Sequence, residues 1–142
     1  MNVKSILDEK GRDVVTVGAQ MTLSEVVSLL TQRRIGAAVV VGEGDRVRGI
    51  ISERDIMRAL ASKGPAALDG PAGATMTTNV MICSEEHTVI QVMEMMTKGR
   101  FRHIPVEVAG RLAGIVSIGD VVRKRIEQVE REAEEMKAYI TS

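Results

Sequence analysis

Two serine–aspartate pairs stand at the same spacing in the same setting. Gly49-Ile50-Ile51-Ser52-Glu53-Arg54-Asp55 recurs 65 residues later as Gly114-Ile115-Val116-Ser117-Ile118-Gly119-Asp120. The apolar run before each serine reads as a strand, and the aspartate falls in the first turn of a following helix. The free N–H groups and helix dipole of such a turn favour a phosphate. A carboxylate there suits a ribose diol, because it can accept two hydrogen bonds. The serine hydroxyl can bind a phosphate or sugar oxygen, or simply cap the helix. For one copy the cap is the better reading; two copies in register favour a ligand.

The elements that must position these pairs are also duplicated. Upstream the spacing is 66: Val14 matches Val80, Thr22 matches Thr88, Val26 matches Val92, Thr31 matches Thr97, Arg34 matches Arg100 and Val40 matches Val106. One residue is therefore lost in the turn between Val41 and Arg46. Each copy reads strand, helix, strand, strand, helix. In the first copy these are residues 14–17, 22–34, 37–41, 46–52 and 53–62. Thr22 and Glu25 form a capping-box pattern, and Gly36 is expected to end the helix. The second copy gives 80–83, 88–98, 103–108, 112–117 and a helix from Gly119. The expected divisions are a first repeat at 1–62, a linker at 63–78, a second repeat at 79–126 and a helical extension at 127–142. The linker, rich in Gly, Pro and Ala, reads for the most part as a flexible connector. Along the last helix Val122, Ile126, Val129, Ala133, Met136 and Ile140 step by 4, 3, 4, 3, 4, a heptad seam that a second chain could cover.

The 142 residues suggest one compact body, because a half of about 60 residues would be marginal alone. Lys plus Arg and Asp plus Glu are 19 each, and Trp is absent, so neither a nucleic-acid surface nor a stacking platform is expected. No apolar run is long enough to cross a membrane, and the N-terminus lacks a secretory pattern. The single cysteine, Cys83, excludes an internal disulfide and fits a reducing, cytoplasmic setting. With His87 and His103 it forms no metal-ligand spacing, so no metal is expected. Its position at the end of an apolar run reads as a small buried residue. No P-loop or Gly-x-Gly-x-x-Gly sequence is present.

Across residues 3–126 the chain resembles the cystathionine-β-synthase (CBS) domain, doubled as in a Bateman module. Arg102-His103-Ile104-Pro105-Val106 followed by Gly114-Ile115-Val116-Ser117-Ile118-Gly119-Asp120 carries the fuller signature. The likeness is particularly to stand-alone two-repeat bacterial and plant organellar members. It implies an α+β fold of two β-α-β-β-α repeats packed with pseudo-twofold symmetry. It also implies two inter-repeat clefts for adenosine ligands, AMP first, with ADP, ATP, NAD or S-adenosylmethionine as further candidates. One cleft would use Ser117, Gly119 and Asp120 with Asp13, Val14 and Val15. The other would use Ser52, Arg54 and Asp55 with Asn79, Val80 and Met81. Arg102 and His103 would face phosphates where the first repeat has Gly36 and Ala37, making the clefts unequal. The function implied is a non-catalytic nucleotide sensor acting on an unidentified regulated protein, expected as a homodimer. The alternatives are a structural dimerisation module with empty clefts and, last, a nucleotide-hydrolysing enzyme. The latter would need a positioned base or a carboxylate pair for a metal.

Overall fold

The computed structural model describes residues 1–141; Ser142, the end of the expected extension, lies outside them. The chain forms two compact units. One comprises Asp13–Val80 with Val108–Ala113; the other comprises Met1–Arg12, Met81–Glu107 and the chain from Gly114 on. Both mix helices with a small sheet, so the class is α+β.

In the first unit β1 (Thr16–Val17) runs parallel to β2 (Ala37–Val41), which pairs antiparallel with β3 (Val47–Ser52). The register sets Ala37 opposite Ser52 and Val39 opposite Ile50. Residues Ala37 to Val40 are all buried, as a continuous apolar run in a covered strand demands. Helices α2 (Leu23–Arg33) and α3 (Glu53–Lys63) cover the sheet, and Val17, Leu23, Val26, Leu30, Val40, Ile51 and Ile56 form the core. The Thr22/Glu25 capping box is present. The helix end differs from expectation: Arg34, not Gly36, adopts the left-handed conformation (φ 55°), and its N–H reaches Leu30 O. Arg100 does the same in the second repeat (φ 56°). Both are followed by an apolar residue, Ile35 or Phe101, that packs on its core, and this fixes the chain reversal without glycine.

The expected flexible connector is folded. It forms two short 3₁₀ turns, Pro65–Asp69 and Ala72–Ala74, that bury Ala67 and Ala72 in the first core. The backbone of Met21 and Leu23 is tied to this segment through Leu23 N–H to Gly70 O and Ala72 N–H to Met21 O. Small alanines let the turns pack close, which composition alone disguises as looseness.

The second unit begins with a helix that the repeat pattern did not anticipate. Helix α1 (Val3–Lys10) starts in an Asn2/Ser5 capping box and buries Val3, Ile6 and Leu7 against Val89, Val92, Ile104 and Val116. The N-terminal segment thus completes the core of the second repeat, with Val3 N–H donating to His87 O. Helix α4 (Val89–Gly99), strands β4 (His103–Val108) and β5 (Arg111–Ser117), and α5 (Ile118–Thr141) follow. The β4–β5 turn is the shorter one, with Ala109 (φ 52°) and Gly110 (φ 77°) both at positive φ, as a two-residue hairpin turn requires. The strand expected at 80–83 reduces to one parallel bridge, Cys83 to Val106. Of those residues only Cys83 is buried, so no further side chain anchors a longer ladder.

Candidate functional site

Each Ser-x-x-Asp pair closes on itself. In the first repeat Ser52 N–H donates to Asp55 Oδ2 (2.9 Å), Ser52 Oγ–H donates to the same oxygen (2.9 Å), and Asp55 N–H returns to Ser52 Oγ (3.2 Å). Thr77 Oγ1 donates to Asp55 Oδ1 (2.9 Å). Two backbone bonds between Thr77 and Ile50 hold that threonine in place. Gly49 permits the approach: a Cβ there would lie 2.6 Å from Thr77 O. Thr77, inside the expected linker, is a site neighbour that sequence reasoning missed.

In the second repeat Ser117 N–H donates to Asp120 Oδ2 (2.9 Å), and Asp120 N–H donates to Ser117 Oγ (3.2 Å). Two cations complete the carboxylate. Lys10 Nζ lies 2.7 Å from Oδ2, and Arg123 Nη2 lies 2.8 Å from Oδ1. Lys10 also donates to Ile115 O (3.0 Å). Neither cation was among the expected residues. Arg123 could have been found as the i+3 neighbour of Asp120. Lys10 closes a helix whose Val3, Ile6 and Leu7 already show helical spacing.

Asp55 and Asp120 are each 8% exposed, so both carboxylates are buried at their helix starts. Burial pushes Asp120 up. The Lys10 hydrogen bond and the Ser117 N–H together outweigh it, so the carboxyl sits below its ordinary range. Among the described residues no ion pair reaches Asp55.

Ile118 N–H donates to Arg102 O (2.8 Å), which ties Arg102 and His103 to the start of α5. The equivalent bond in the first repeat, Glu53 N–H to Gly36 O, brings up no cation, and the Glu53 carboxylate lies beside Gly36. Arg102 is exposed and His103 half-buried. Burial holds His103 below its ordinary value, with Lys10 and Arg102 acting the same way and Asp120 opposing them. Ser117, Gly119, Asp120, Arg102 and His103 thus share one unit, while Asp13, Val14 and Val15 belong to the other. Ser52, Arg54, Asp55, Asn79 and Val80 share the first unit, and Met81 belongs to the second. Asp13, Arg54, Asn79 and Met81 are exposed; Val14, Val15 and Val80 are half-buried. Cys83 is buried, and desolvation pushes its thiol up to about 12, so it is no nucleophile near neutral pH. Among the described residues no three His, Cys, Asp or Glu side chains cluster as metal ligands. Among the described residues no helix is long and apolar enough to cross a membrane.

A duplicated α+β unit with a self-capped Ser-x-x-Asp turn in each copy defines a tandem-repeat module. A family model described as "CBS domain" matches residues 3–62 and 72–127, and the chain belongs to that family. The mitochondrial CBS domain-containing protein CBSX3 of Arabidopsis thaliana is 37% identical over 123 residues, covering 84% of this chain; the chain spans only 60% of that relative's length. A CBS-domain containing protein of Agrobacterium tumefaciens matches in structure with TM-score 0.84 and 50% identity, over 88% of this chain and 99% of that one. A CBS domain protein of Pyrobaculum aerophilum complexed with AMP matches with TM-score 0.75 and 30% identity, over 84% and 89%. The CBS domain pair of the protein MJ0100, in complex with 5′-methylthioadenosine and S-adenosylmethionine, matches with TM-score 0.79 and 27% identity, over 90% and 98%.

Proposed function

We propose that this chain is a non-catalytic regulatory module that binds an adenine nucleotide, AMP first, at its Ser-x-x-Asp turns. Asp120 and Asp55 would accept the ribose diol, and Arg102 and His103 would face the phosphate. The observation that carries the reading is the cluster at the second turn. There a buried carboxylate, a half-buried histidine and three cations, Lys10, Arg102 and Arg123, are tied to one helix start. The AMP and S-adenosylmethionine complexes of the two relatives support an adenosine ligand. Output would come from differential affinity: a ligand shifts a two-state equilibrium only as far as it prefers one state. A thermal-shift panel with AMP, ADP, ATP, NAD and S-adenosylmethionine tests this. A ligand at 100 times its dissociation constant adds about 2.7 kcal/mol of stability. No stabilisation by any of the five would contradict the reading.

A second copy of the chain is the proposed cover for α5. Along its seam Val122 is 43% exposed, Ile126 53%, Val129 46%, Met136 63% and Ile140 76%. Such a stripe is stabilised by leaving water, at roughly 25 cal/mol per Å² of apolar surface.

A further inference from the structure

The two turns differ in the charge of what their carboxylates already hold, and the difference points to the ligand each accepts. A carboxylate offers about four acceptor positions. At Asp55 three bonds come from neutral donors: Ser52 N–H, Ser52 Oγ and Thr77 Oγ1. A diol entering there displaces a hydroxyl and strands no charge. At Asp120 two of the three donors are cations. A diol needs two positions, so one cation must give way. Arg123 is the one free to go, because its side chain is 74% exposed and water can take it.

Lys10 is in a different position. Its side chain is 33% exposed, and its ammonium is fixed by both Asp120 Oδ2 (2.7 Å) and Ile115 O (3.0 Å). An ammonium has three N–H donors, and two are spent here, so one remains beside the carboxylate. Lys10, Arg102 and Arg123 surround Asp120, and the further carboxylate near Arg123, Glu9, is paired with Lys124, so cations outnumber carboxylates around Asp120. A cation held by two bonds has already lost its freedom and gives that interaction to a ligand at little further entropic cost.

We infer that Lys10 is the specificity-determining residue of the second-repeat site, selecting a ligand that carries a phosphate over the neutral nucleoside. This rests on the proposed nucleotide-binding function. At the first-repeat turn the donors on Asp55 are neutral, so this device of a cation held against the carboxylate is missing there.

The test is a titration with AMP and with adenosine, followed at the ¹⁵N–H signal of Gly119, which adjoins Asp120. It is run on the full chain, on Lys10→Met and on Lys10→Arg. The wild-type chain should prefer AMP. In Lys10→Met that preference should shrink by about tenfold or more, the scale of one charge-assisted hydrogen bond, with adenosine binding unchanged or tighter. Lys10→Arg should retain the preference. An unchanged ratio in Lys10→Met, or a wild-type chain that binds adenosine as well as AMP, overturns the inference. If neither compound moves the Gly119 signal of the wild-type chain, the nucleotide-binding reading itself fails, and this inference with it.

Discussion

Thr77 donates its hydroxyl to Asp55 Oδ1 at 2.9 Å, across 22 residues of sequence. That bond joins the segment after α3 to the helix start that precedes it. Its counterpart in the second repeat is an ion pair, Lys10 to Asp120, across 110 residues. One motif is thus completed by a neutral donor in one copy and by a charge in the other.

The approach of Thr77 depends on Gly49. A Cβ at that position would meet Thr77 O at 2.6 Å and Met76 Sδ at 2.9 Å. At Gly114 its nearest neighbours would be the two Leu7 methyl groups, at 2.8 and 2.9 Å. Side chains repack more readily than backbone. Gly114→Ala should therefore destabilise by about 1–3 kcal/mol, the usual cost of overpacking, and Gly49→Ala by more. Urea unfolding of the two variants checks the order; equal losses would mean that the Thr77 backbone yields.

Two groups set a pH dependence. His103 is held below its ordinary 6.5, so below about that pH the unfolded chain binds a proton that the folded chain resists. Stability should fall as pH drops from 7 toward 5, and His103→Gln should flatten that slope. Asp120 is held below its ordinary 3.8. Its contribution is complete above that value and is lost as pH falls through the lower folded value. Unfolding midpoints from pH 7 to 3 follow both steps. An identical profile for His103→Gln between pH 7 and 5 would contradict the first.

The exposed seam of α5 gives a prediction about assembly. The full chain should sediment as a dimer, and a chain ending at Arg125 should dissociate more readily while keeping Ser117 and Asp120. A monomeric full chain would remove the second-copy proposal. A dimer indifferent to truncation would move the interface to other helices.

Much of the fold was legible because the signals are local. Thr22 with Glu25, and Thr88 with its i+3 neighbour Gln91, announce helix starts through bonds spanning three residues. The continuous apolar run at Ala37–Val41 announces a covered strand. What misled was tertiary. Arg34 takes a conformation that favours glycine because Ile35 must pack. The alanine-rich linker is ordered by burial of Ala67 and Ala72, which no periodicity reveals. The Ser-x-x-Asp pairs were visible as repeats, and their capping bonds follow from spacing. Lys10 and Thr77 were not visible, because each is brought to its aspartate by long-range folding. The same folding buries both carboxylates in turns that look open in the sequence.

The central claim is that the Ser-x-x-Asp turns hold an adenine nucleotide, and calorimetric titration with AMP tests it most directly. The wild-type chain, Asp120→Asn and Asp55→Asn are compared, because Asn keeps the size of each cap while removing its charge and turning one acceptor oxygen into a donor NH2. The account predicts saturable binding to the wild-type chain. It predicts loss of about tenfold or more in affinity at the second-repeat site for Asp120→Asn alone, the scale of a lost charge-assisted bond. Absence of saturable binding in the wild-type chain, or titrations of both variants that superimpose on it, would contradict the account.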